Sequence, residues 1–222
     1  MKKTITVLLC IFLFTRSFSQ ESKVFIGLQA GVSSAKLRSN GVNDARSLTG
    51  FQFSGTIGMH LSPHWSIVAS PGYERSGSID SSIVFLDGIP VGGGNITNSI
   101  HYLTIPVAVQ YSFGKKIKLL VNAGGFTGFR LDAKAKGEVV INGPGLPGGT
   151  EHVDSNIDYI RTMNWGVTFG AGLQMPLNKR LYADFTIRDN LGLYPMNTHN
   201  NSVRTNIVEW KLGVIYPLKH KH

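Results

Sequence analysis

"HYLTIPVAVQYSFG", residues 101–114, is the most apolar run of the chain after its first twenty residues. Its side chains alternate as a strand requires, with Leu103, Ile105, Val107 and Val109 on one side. Tyr102, Thr104, Pro106, Ala108 and Gln110 fall on the other. Pro106 has no backbone donor and normally argues against an interior strand. A strand that keeps it is expected to bulge or bend there, with a water serving the carbonyl opposite.

The same period of two recurs along the chain. Val24, Ile26, Leu28, Ala30 and Val32 alternate with Gly27, Gln29 and Gly31. Phe51, Phe53, Ile57, Met59 and Leu61 oppose Gln52, Ser54, Thr56, Gly58 and His60. A third strand sets Trp65, Ile67, Ala69 and Tyr73 against Ser66, Ser70 and Glu74. Residues 101–114 are the fourth. The fifth carries Leu119, Val121, Ala123, Thr127, Phe129 and Leu131, with Lys118, Leu120 and Phe126 blurring the pattern. The sixth is Trp165 to Met175, cleanly alternating with Gly, Thr and Gln. The seventh opposes Leu181, Ala183, Phe185 and Ile187 to Tyr182, Asp184, Thr186 and Arg188. The eighth opposes Val208, Trp210, Leu212, Val214 and Tyr216 to Glu209, Lys211 and Gly213.

Long polar connections at about 34–50, 76–100, 133–160 and 189–205 alternate with tight turns at 62–64, 114–116 and 176–179. That alternation predicts an all-β fold: an eight-stranded antiparallel up-and-down transmembrane β-barrel with periplasmic termini and four long extracellular loops. A soluble barrel would turn its apolar face inward and put Lys and Glu in water. Here the polar set is Gly, Ser, Thr, Asn and Gln with a few compensable charges, as a narrow lumen demands. Trp65, Tyr111, Phe113, Trp165 and Tyr216 lie near strand ends, the place of an aromatic girdle.

Lys2 and Lys3 followed by "TITVLLCIFLF" have the layout of a cleaved secretory signal over residues 1–20. The barrel domain is then 21–222, bound for the cell outer membrane. Loss of Lys2, Lys3 and Arg16 takes the formal charge from +9 to +6. Cys10, the single cysteine, leaves with the signal, so disulfide and thiol chemistry are excluded from the mature chain. The basic excess suits anionic headgroups or lipopolysaccharide, and no nucleic-acid partner is expected.

In order, "HYLTIPVAVQYSF", "VNAGGFTGF", "WGVTFGAGLQ" and "LYADFTIRDNLGLY" resemble the outer-membrane β-barrel domain of PorT-like proteins from Bacteroidetes. "SFSQ" before the expected cleavage site is also similar. The resemblance covers nearly all of the mature chain. It implies an integral outer-membrane protein; the family's founding member serves a secretion and gliding machinery, while most relatives have no assigned role.

Glu74, Asp184, Arg188, Glu209 and Lys211 are the candidate site, a lumenal polar network that closes the barrel or gates it. Asp184 and Arg188 share a face, and so do Glu209 and Lys211 on the next strand. His60, His64, His101, His220 and His222 lack metal-ligand spacing within a regular element, so no metal or other cofactor is expected. No G-x-S-x-G elbow occurs, and the Gly-rich stretches at 92–95 and 143–149 lack the strand, helix and Lys-Ser/Thr of a phosphate cradle. The expected function is non-enzymatic: long surface loops that bind a partner, a surface polymer or a secretion component. A small channel and a lipid-modifying barrel enzyme are the alternatives.

Overall fold

A computed structural model describes residues 24–38, 46–86, 89–142, 147–196, 198 and 203–218. The expected signal peptide, residues 1–20, and the histidines at 220 and 222 lie outside them. The described residues form ten strand segments: β1 (Val24–Arg38), β2 (Arg46–His60), β3 (Trp65–Ala69), β4 (Gly72–Leu86), β5 (Ile89–Phe113), β6 (Lys118–Ile141), β7 (Gly149–Asn156), β8 (Met163–Pro176), β9 (Tyr182–Gly192) and β10 (Arg204–Pro217). β3 and β4 pair in turn with the same two neighbours and make one stave, as do β7 and β8 against β6. Eight antiparallel staves result, and β1 pairs with β10 from Phe25↔Pro217 to Arg38↔Arg204, closing the barrel.

The wall has inverted polarity. Leu28, Phe51 and Leu212 point outward, 70%, 73% and 67% exposed. Gln29, Gln52, Thr56, Glu74, Thr168, Asp184 and Lys211 are buried inside. An apolar exterior around a polar interior is stable only in lipid, where closure also removes the sheet's open edges. Leu120 and Phe126, which blur the fifth strand's pattern, are lumenal and buried.

Two of the four long connections differ from the expected loops. β4–β5 and β5–β6 continue as paired ladders to Leu86↔Ile89 and Gly92↔Ile141, and β7 adds a further strand to β6. Above the lipid the outer face of a ladder is wet, so Gly, Ser, Asn and Thr pair there without the apolar alternation that marks a strand, while Ser76, Ser78, Val91 and Val139 are buried. One extra residue, Leu131, separates the pairs Tyr102↔Arg130 and His101↔Asp132. This bulge reverses the phase of β6, so that Ala133 packs inward against Ile100 and Tyr102.

Pro106 corrects an expectation. Its side chain is buried in the lumen, but β5 keeps its register with β6 straight through Pro106↔Phe126. The irregularity lies in the facing stave, which is interrupted at Ser70–Pro71 between β3 and β4. Ser70 N donates to Pro106 O (3.0 Å), and Gly55 N donates to Pro71 O (2.9 Å). Neither proline can return the bond, so the carbonyls of Ser70 and Gly55 lose their ladder donors. The missing donors loosen the ladder toward β3–β4 and β2, while β5–β6 retains its pairing.

At the opposite end from the long ladders, the short turns are built locally. Gly114 has φ +108°, and a Cβ there would stand 2.2 Å from Ile117 O, so only glycine fits. Asn178 Oδ1 accepts from the backbone N–H of Arg180 (2.8 Å) and Leu181 (2.9 Å), fixing the β8–β9 turn.

Candidate functional site

Alternation delivers all five expected charges into the lumen: Glu74 from β4, Asp184 and Arg188 from β9, Glu209 and Lys211 from β10, each 5% exposed or less. Glu209 and Lys211 stand two apart on one face, and Lys211 Nζ donates to Glu209 Oε2 at 2.6 Å. Asn190 Nδ2 donates to the other oxygen, Oε1, at 3.1 Å.

Asp184 and Arg188 form no direct ion pair. Four residues along a strand separate them by roughly 13 Å. Asp184 instead accepts from Gln29 Nε2 (2.6 Å) and Thr186 Oγ1 (2.8 Å). Arg188 stands opposite Glu209 in the ladder, and its Nη2 donates to Ser70 Oγ at 3.4 Å. Glu74 joins Arg188, Glu209 and Lys211 around a cavity of about 10 Å³. A second cavity of about 20 Å³ is bounded by Gln29, Asp184 and Arg188 among others. Each has room for about one water molecule. Gln29, Ser70 and Asn190 were the network members missing from the charge-based reading; their signal was parity, since Gln29 and Ser70 already lay on polar faces.

Apolar layers cap this polar middle at both ends. On the long-loop side, Ile100, Tyr102 and Ala133 from the wall pack with Ile157, Ile160 and Met196 from two connections. Those connections are tied down by Ile157 N to Ala133 O (3.0 Å), Arg161 N to Met196 O (2.8 Å) and Arg130 Nη1 to Ile157 O (3.1 Å). On the short-turn side, Phe25, Val68 and Ile215 meet, with Tyr182 against them. Nothing in the sequence periodicity marks Ile157, Ile160 or Met196 as cap residues, because they lie outside the regular strands.

The residues expected to form a girdle divide between the two ends. Trp65 packs edge-on to Tyr111 with centroids 4.9 Å apart, and Tyr111 stacks on Phe113 at 6.2 Å. Tyr216 faces outward on β10, opposite Ile26 near the same end. Trp165 belongs to the other end, where it stacks on Tyr194 (5.9 Å) beneath the Arg161 guanidinium, 4.9 Å from the Tyr194 ring.

Above the apolar band, β4–β5–β6–β7 present a polar sheet. Lys134 pairs with Asp132 (3.2 Å), Lys136 with Asp154 (3.0 Å), and His152 lies 3.3 Å from Glu138. The hydrogen bond from Lys134 holds the exposed Asp132 carboxyl below its ordinary range. His101 contacts Tyr73 Oη and His64 contacts Ser112 O. His60 Nδ1 lies 2.8 Å from Ser66 Oγ, but Ser66 is fully buried and presents no nucleophile to a substrate. Among the described residues no three His, Cys, Asp or Glu side chains converge on a metal position.

A closed β-wall with an apolar exterior and a polar interior filled by side chains defines an outer-membrane barrel protein. The chain belongs to the outer membrane protein beta-barrel domain family, whose model matches residues 18–196, and its place is the cell outer membrane. No curated protein matches the sequence. Among solved structures it is similar to the outer membrane protein OprG from Pseudomonas aeruginosa, at 9% identity and TM-score 0.49, covering 90% of this chain and 97% of that one. It is similar to Neisserial surface protein A at 14% identity and TM-score 0.45, covering 87% and 97%. Ail of Yersinia pestis, solved with the heparin analogue sucrose octasulfate, shares 13% identity at TM-score 0.44, covering 90% and 100%.

Proposed function

We propose that this protein is a non-enzymatic outer-membrane barrel whose working surface is its extracellular sheet and loops. They bind a protein partner, a surface polymer or a secretion-system component. The observation that carries this reading is the division of the molecule into a capped, filled lumen and long ladders that continue past the lipid. Apolar clusters at both ends of a lumen filled by side chains disfavour conduction and leave the protruding sheet as the surface for recognition.

The same proposal takes residues 1–20 as an export signal and 21–222 as the barrel domain. Membership of the PorT-like group of Bacteroidetes is supported by its four strand motifs in order. Glu74, Asp184, Arg188, Glu209 and Lys211 then serve closure of the barrel, not gating. Trp65, Tyr111, Phe113, Trp165 and Tyr216 anchor it among outer-membrane lipid and lipopolysaccharide. No cofactor enters the mechanism.

Site-directed photo-crosslinking on intact cells tests the reading. A crosslinking amino acid at Lys134 or Arg204 is expected to trap a discrete adduct, while one at Asn178 in a short turn traps none of the same mass. An adduct from Asn178 with none from either loop position would overturn it.

A further inference from the structure

The described short turns carry Lys115, Lys116, Lys179 and Arg180, all exposed, and no carboxylate. None of the four pairs with an acid among the described residues, whereas Lys134 and Lys136 on the extracellular sheet each hold an aspartate. β6 and β8 are ladder neighbours, so the two cationic turns stand side by side on the same rim. Ile117 and Leu177, 53% and 58% exposed, sit within these turns. The rim is continuous with the girdle, since Phe113 immediately precedes Gly114 and stacks on Tyr111.

We infer that this rim is a binding surface for anionic phospholipid, its four cations contacting phosphodiester headgroups in the periplasmic leaflet. The inference rests on the barrel reading, which places the short turns in the periplasm. Apolar side chains interleaved with cations, one step beyond an aromatic girdle, match the chemistry of a lipid interface: tails below, phosphates at the turn. An acidic soluble partner would have no use for exposed Ile117 and Leu177 at the lipid edge. The rigid Asn178-capped turn and the Gly114 turn hold the cations at a fixed height, where an anionic surface attracts each Lys or Arg.

Trp65 reports from the same rim, because it pairs with Tyr111 in the ladder. The full mature chain carrying W165F/W210F, with Trp65 its only tryptophan, is refolded into phosphatidylcholine vesicles. Those vesicles contain either brominated phosphatidylglycerol or brominated phosphatidylcholine at equal mole fraction. Quenching of Trp65 is expected to show at least roughly five-fold enrichment of phosphatidylglycerol, the effect of a single cation–headgroup contact and the floor for four. K115Q/K116Q/K179Q/R180Q should abolish the preference, and molar salt should weaken it. The three-tryptophan protein supplies the same comparison at lower contrast if the double variant does not fold. Equal quenching by the two lipids, or a preference that survives the four substitutions, would overturn the inference. So would binding of soluble polyglutamate to the rim without any lipid preference. Heat-modifiable gel mobility is read on every sample: its absence would fault the barrel itself, its presence with equal quenching only the lipid site.

Discussion

Replacing Lys211 with methionine keeps the length of the side chain and removes its charge. In the native lumen Lys211 Nζ lies 2.6 Å from Glu209 Oε2, and both side chains are almost wholly buried. Lys211→Met removes the ammonium from Glu209 Oε2 and leaves the Asn190 bond to Oε1. Removing one partner of a buried pair typically costs about 3–5 kcal/mol, most of it the desolvated charge left behind. The double variant E209Q/K211M removes both charges, so it should recover most of that loss. Urea titration of the barrel refolded in vesicles, followed by tryptophan fluorescence, measures both. A loss below about 1 kcal/mol for the single variant, or a double variant no more stable than the single, would refute the account of a coupled buried pair.

Pro106→Val restores the donor that Ser70 O lacks, so the same titration should show a gain of about 0.5–1.5 kcal/mol; a loss of that size would mean that the facing interruption is not caused by the proline. The Asp132 carboxyl is held low by Lys134, so its contact stabilises the extracellular sheet above the ordinary carboxylate range and disappears as pH falls through the lowered value. Amide protection factors along β6 and β7, corrected for the intrinsic pH dependence of exchange, should therefore fall in acid in the wild type, and Asp132→Asn should flatten that acid limb; an unchanged limb would assign it to other groups.

The parts of this fold written in side-chain alternation are legible in the sequence alone. Leu28 against Gln29, Phe53 against Gln52 and Leu212 against Lys211 name both faces of the wall, because period two converts directly into inside and outside. Backbone pairing without alternation was not legible. The stretches 76–100 and 133–160 read as loops because Gly, Ser and Asn show no preferred face, yet the N–H and C=O groups of 76–86, 89–100, 133–141 and 149–156 within them pair in ladders. The candidate network was half visible. Charge singles out five lumenal residues, but Asp184 and Arg188 also take partners from other staves, through Gln29 and Ser70. Strand register across a closed barrel decides such contacts, and no local pattern encodes it. The caps were invisible for the same reason: Ile157, Ile160 and Met196 meet only because their connections fold over the mouth.

The central claim is that the lumen is a sealed structural core and that recognition belongs to the extracellular surface. Planar-bilayer recording of the refolded full mature chain tests it most directly. The account predicts no unitary steps above the bare-bilayer baseline, in the wild type and in Arg188→Ala alike, because both apolar caps remain in place. Stable unitary steps from the wild type, altered by Arg188→Ala, would contradict it and make the lumenal charges a conduction path.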